Sequence, residues 1–176
     1  FFTWQDGLGH NGGEGILDCD VAPSSGNGGG SAVGHNQAPF AENRIVTEGS
    51  TQSLPMSYDN TFGPSEITLP LNGQDWTLRQ VQTLSIALRG VADNTGTLYA
   101  KINNSKVVYN GDPADVAGEE WQTWNIDLTA LSGLQNVTAL TIGMDGAAAK
   151  GLLYLDDIRL YPLPAELIPP AQGLGE

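Results

Sequence analysis

The amino-acid sequence predicts an all-β fold, a sandwich or jelly roll of two antiparallel sheets. Three observations carry this. Short runs between residues 52 and 161 alternate apolar and polar side chains and are rich in β-branched and aromatic residues. The gaps between them hold turn chemistry, and no long helical pattern separates them. A parallel sheet would need crossover helices.

The expected strands are 52–58, 66–71, 82–89, 97–102, 106–109, 121–128, 137–144 and 152–161. Between them stand Asp59-Asn60, Asn72-Gly73, Asp93-Asn94 with Gly96, Asn103-Asn104, Asn110-Gly111-Asp112-Pro113 and Asp145-Gly146. Short helical turns are expected near 75–79 and 129–134. Within the strands, Leu84, Ile86 and Leu88 share one face. Trp124, Ile126 and Leu128 share another, with Asn125 and Asp127 outward. Val137, Leu140, Ile142 and Met144 supply a further apolar row. These rows are the expected core.

Two flanking zones differ. Residues 1 to about 47 are rich in Gly, Asn, Ser and Asp and include Gly26-Asn27-Gly28-Gly29-Gly30. They read as a long irregular segment of the jelly-roll domain, which spans 1–161. Residues 162–176 carry Pro162, Pro164, Pro169 and Pro170 and read as a Pro-rich linker or tail. The first residue is Phe, not Met. Position 1 is therefore expected to follow processing or to begin a domain cut from a longer chain.

Charge narrows the function classes. Seven Lys and Arg face twenty Asp and Glu, a net charge of −13. Such a surface repels phosphate backbones and anionic lipid, which argues against nucleic acid and membrane surfaces as partners. No run reaches the ~20 apolar residues of a membrane span. The single Cys19 allows no internal disulfide, only a free thiol or an intermolecular one.

Candidate chemistry is sparse. His10 and His35 lie in glycine-rich loops, and no Gly-x-Ser-x-Gly elbow occurs. No pair of carboxylates is marked for glycoside hydrolysis. The chain is therefore read as non-catalytic. Asp18-Cys19-Asp20 beside Glu14 is either a solvated acidic loop or a calcium-ligating one. Asn103-Asn104-Ser105 and Asn136-Val137-Thr138 fit the glycosylation sequon.

Asp156-Asp157 interrupts an apolar strand. Neighbours on a strand face opposite sides, so one carboxylate is turned toward the core or a sheet edge and needs a cation or backbone donors. The readings are a calcium site, or a bulge whose carboxylates are solvated or paired with Arg159 or Arg44. Among the aromatics, Trp124 is expected in the core and Trp76 as a plug at one end. Trp4, Trp121 and Tyr58 are the candidates for stacking on a ligand ring.

The run Leu152 to Tyr161, with Asp-Asp-Ile-Arg-Leu near its end, resembles the final strand of galactose-binding-like jelly-roll domains, including carbohydrate-binding modules. Thr3-Trp4-Gln5-Asp6-Gly7, Val33-Gly34-His35, Gln52 to Asn60, Gln74-Asp75-Trp76-Thr77, Leu98 to Lys101 and Trp121 to Ile126 add to the likeness. Together they are similar to a type repeated in large secreted or surface proteins of planctomycete-like bacteria. The resemblance implies a structural calcium where the first and last strands meet. Asp156 and Asp157 match its C-terminal carboxylates, and Asp6 is the nearest acid on the N-terminal side. It also implies an extracellular or cell-surface module binding carbohydrate. The alternative is a structural subunit of a surface layer, filament or adhesive assembly, whose partner is a neighbouring protein module or a copy of itself as a homo-oligomer.

Overall fold

The computed structural model describes residues 4–7, 26–35 and 39–173. The expectations on His10, Glu14, Asp18, Cys19 and Asp20 lie outside these residues.

The described strands are β1 (Ser31–Val33), β2 (Leu54–Asp59), β3 (Ser65–Gln74), β4 (Thr83–Arg89), β5 (Thr97–Ile102), β6 (Ser105–Val108), β7 (Gln122–Asp127), β8 (Val137–Asp145) and β9 (Lys150–Tyr161). They form a jelly-roll sandwich of a five-stranded sheet, ordered β1-β2-β9-β4-β7, and a four-stranded sheet, ordered β3-β8-β5-β6. Every strand pair is antiparallel.

Alternation decides which side chains meet between the sheets. The five-stranded sheet contributes Met56, Leu84, Ile86, Leu88, Trp124, Ile126, Leu153 and Leu155. The four-stranded sheet contributes Ile67, Leu98, Ala100, Ile102, Leu140, Ile142 and Met144. Register pairs Ile86 with Trp124 and Leu84 with Ile126. The Trp124 ring meets Tyr109 edge-on, with centroids 5.4 Å apart. Trp76 is buried as expected, its indole N–H donating to Gln74 Oε1 at 3.0 Å.

Three strand exits share one device. In Asp59-Asn60-Thr61, Asp75-Trp76-Thr77 and Asp127-Leu128-Thr129 the Asp carboxylate accepts from both the amide and the hydroxyl of the Thr two residues on. This closes an Asx turn and stops the strand. Those bonds hold the three carboxyls below the usual range.

The described residues of both flanking zones pack onto the sandwich. Gln5 pairs with Thr68 of β3, while the Gly7 amide donates to Ser31 O of β1 at 3.0 Å. The N-terminal segment thus bridges the two sheets along one side. Of the stretch after Tyr161, expected as a linker or tail, the described residues lie on the outer face of the five-stranded sheet. Thr83 Oγ1 donates to Leu163 O at 2.7 Å, Asn125 Nδ2 donates to Ala165 O at 3.1 Å, and the Ala171 amide donates to Thr123 Oγ1. A strap formed by residues 41–53 crosses the same face, pinned by the Glu42–Ser53 bridge. Strap and C-terminal stretch meet where Thr47 pairs with Gly173.

Candidate functional site

The site begins with a defect in β9. Ser85 of β4 stands opposite Arg159, and Ala87 opposite Asp156, so Ile86 faces both Asp157 and Ile158. That is a β-bulge, with Asp157 at φ +45°. Asp tolerates the left-handed region better than most residues. Before the bulge Leu153 and Leu155 point inward, and after it Ile158 and Leu160 do. The bulge therefore returns Asp156, Arg159 and Tyr161 to one face, the outer one.

Over that face the strap and the C-terminal stretch leave a groove of about 330 Å³. Ser85, Ala87 and Thr123 form its floor. Asp157, Arg159 and Tyr161 enter from β9, Thr47 and Glu48 from the strap, and Pro169, Pro170 and Gln172 from the opposite wall. The Glu48 amide donates to Gln172 O at 2.7 Å and ties the walls together. Arg159 Nη2 donates to Asp157 Oδ1 at 2.5 Å. The groove thus offers a guanidinium, carboxylates, an amide, hydroxyls and one phenol ring side by side. Such a mixture of donors, acceptors and a ring face suits a neutral ligand dense in hydroxyl groups.

The carboxylates expected to hold calcium are placed differently. Asp6 is buried at β1, where its Oδ2 accepts from the Val33 amide at 2.8 Å. Asp156 Oδ2 accepts from the Thr47 amide at 3.0 Å and the Thr47 hydroxyl at 2.9 Å. Its Oδ1 accepts from the Ser50 hydroxyl at 3.1 Å and the Asp157 amide at 2.8 Å. A carboxylate has about four lone-pair sites. Each oxygen of Asp156 accepts from a fixed backbone N–H, and the Thr47 and Ser50 hydroxyls stand within hydrogen-bond distance of the same oxygens. Asp157 faces a guanidinium. Calcium needs 6–8 oxygens with lone pairs directed at it, and these residues do not fit it. Among the described residues, no three His, Cys, Asp or Glu side chains gather in a metal-holding group. The expected bulge is present and Asp157 pairs with Arg159, whereas Asp156 is held by Thr47, Ser50 and the Asp157 amide rather than by an arginine.

The aromatics expected at a ligand are also placed elsewhere. Tyr58 is only 3% exposed, and its hydroxyl donates to Thr95 O at 3.0 Å. Burial pushes that phenol up to about 12. Trp121, 8% exposed, packs with Ala87 and Tyr154 on the outer face, covered by the C-terminal stretch at Gly173. Trp4, 7% exposed, joins the main core; its edge borders a separate hollow of about 220 Å³ beside Asp156 and Asp157. None of the three presents an open ring face. Tyr161, Arg159, Thr123, Glu48 and Gln172 escaped the sequence reading as a site. The usable signal was the phase change between Leu153/Leu155 and Ile158/Leu160.

No protein-family model and no curated protein matches the chain. Among solved structures, an exo-β-agarase superposes with a TM-score of 0.58 and 12% identity, over 77% of this chain and 22% of that one. This likeness is one of fold. A family 11 carbohydrate-binding module from Clostridium thermocellum, in complex with a β-1,3-1,4-mixed-linked tetrasaccharide, gives 0.48 with 15% identity, over 89% of this chain and 94% of that one. A family 30 carbohydrate-binding module of a cellulosomal cellulase from the same organism gives 0.48 with 15% identity, over 76% of this chain and 91% of that one.

Proposed function

We propose that this chain is a non-catalytic carbohydrate-binding module that holds a glycan in the groove over β4, β7 and β9. One observation carries the reading: the β9 bulge puts Asp157, Arg159 and Tyr161 together in a walled groove. A pyranose has an apolar C–H face for the phenol ring and hydroxyls that both donate and accept. The Asp157–Arg159 pair supplies an acceptor and a donor at adjoining positions. The carboxylate of Asp157 is already engaged by Arg159, which suits holding a hydroxyl better than moving a proton. The fold shared with part of an exo-β-agarase agrees with a polysaccharide ligand. We further read the chain as a module of an extracellular or cell-surface protein, in keeping with its acidic, amide-rich and hydroxyl-rich surface.

Calorimetry and affinity electrophoresis against solubilised agar, mixed-linked β-glucan and cello-oligosaccharides test the reading. At least one should bind, and Tyr161→Ala and Arg159→Ala should each weaken it about tenfold, or 1.4 kcal/mol. Binding to none of these, or wild-type affinity in both variants, overturns the reading. Self-association detected by sedimentation together with no glycan binding would favour the structural subunit instead.

A further inference from the structure

We propose that Asp156 is a positioning residue that does by hydrogen bonding what a bound cation would otherwise do. It clasps the strap to β9 and so sets the wall of the groove; the affinity part of this inference rests on the glycan reading above. The geometry is direct. Both oxygens of Asp156 receive the strap: Thr47 through its amide and hydroxyl, and Ser50 through its hydroxyl. The residues so joined lie 109 and 106 positions apart in the chain. The Thr47 hydroxyl also reaches Asp157 Oδ2 at 3.3 Å. One threonine therefore touches both members of the Asp pair, and its neighbour Glu48 forms groove wall.

The clasp is built into the bulge. The Asp157 amide, turned by the φ of +45°, donates back to Asp156 Oδ1 at 2.8 Å. The same turn that sends Asp157 to the groove thus fixes the rotamer of Asp156 toward the strap. A metal would have to displace two backbone N–H donors to reach these oxygens. The strap is consequently held without one, and groove shape depends on the identity of Asp156 rather than on a divalent ion.

Three measurements on the whole chain test this: melting temperature with chelator or calcium chloride, amide exchange at Thr47, and affinity for the three polysaccharide probes. Wild-type melting should be unchanged by either additive. Asp156→Asn turns one acceptor into a donor facing donors, so Thr47 exchange should quicken about tenfold. Affinity should weaken about tenfold while the main melting transition stays cooperative. Thr47→Val, which removes only the hydroxyl contacts, should act in the same direction, and Thr47→Ser should restore both readouts. Melting lowered by the chelator overturns the clasp. So does wild-type Thr47 exchange in both Asp156→Asn and Thr47→Val. A loosened strap with wild-type affinity overturns the positioning role and leaves the glycan reading standing. If the wild type binds no probe, the glycan reading fails, and exchange and chelation alone decide the clasp.

Discussion

Asp156 and Arg159 leave β9 on the same face of the sheet although they stand three residues apart, an odd step that would send them to opposite faces in a regular strand. The extra residue at the bulge resets the alternation. Asp157 absorbs the geometry at φ +45°. Asp157→Val should therefore destabilise by about 1–2 kcal/mol, the cost of a left-handed conformation for a residue with a crowded Cβ. Asp157→Gly should retain or raise stability yet lose glycan affinity. Denaturant unfolding and calorimetry on the two variants separate backbone strain from side-chain chemistry.

The core predicts its own response. Trp124→Ala removes a buried ring wedged between Ile86 and Tyr109 and should cost about 3–5 kcal/mol. Trp4→Ala should also lower stability, because Trp4 is packed into the same core rather than standing at the surface. Equal urea midpoints for wild type and the Trp4 variant would contradict that placement.

The outer face of the four-stranded sheet carries a tight stack. Tyr99 lies over Gly143, where an added Cβ would sit 2.5 Å from the ring, and its hydroxyl is held by Glu66. Lys106 Nζ stands 3.7 Å over the same ring and pairs with Asp145 at 2.6 Å. Tyr99 is buried and tied at its hydroxyl, so its ring must shift to admit an added methyl. Gly143→Ala should cost about 1–3 kcal/mol by overpacking, measured by chemical denaturation.

Glu66 gives the pH dependence. Burial raises its carboxyl, but hydrogen bonds from Lys101 and Tyr99 outweigh that and hold it below the ordinary value of 4.5. A carboxyl depressed in the folded state stabilises above its unfolded value, and that stability is lost as pH falls through the folded one. Wild type should therefore exceed Glu66→Gln in melting temperature above about pH 5, with the gap closing as pH drops below 4.5. A gap that widens in acid would contradict the sign.

Much of this was legible in the chain. Alternation runs cleanly between Asp93-Asn94 and Asn103-Asn104, so the sequence predicts a strand over 97–102, and Thr97–Ile102 is one. The strand Ser31–Val33 was not legible: three small residues carry no period, and β1 exists by pairing with β2 and by Asp6. The site was legible only in part. Asp156-Asp157 stood out as polar residues in an apolar strand, but what neutralises them came from Thr47 and Ser50, far off in sequence. Trp121 looked available because nothing local showed that the strap and the residues after Tyr161 would fold over the sheet, and Trp4 and Tyr58 because nothing local placed them in the main core. Those same coverings make the groove.

The most direct test of the central claim is a heteronuclear NMR titration of the labelled chain with whichever soluble oligosaccharide binds. The account predicts that shifts concentrate on Thr123, Asp157, Arg159, Tyr161 and Gln172, with the four-stranded sheet unmoved. Shifts centred on the four-stranded sheet around Tyr99 and Lys106, or none at saturating oligosaccharide, would contradict it.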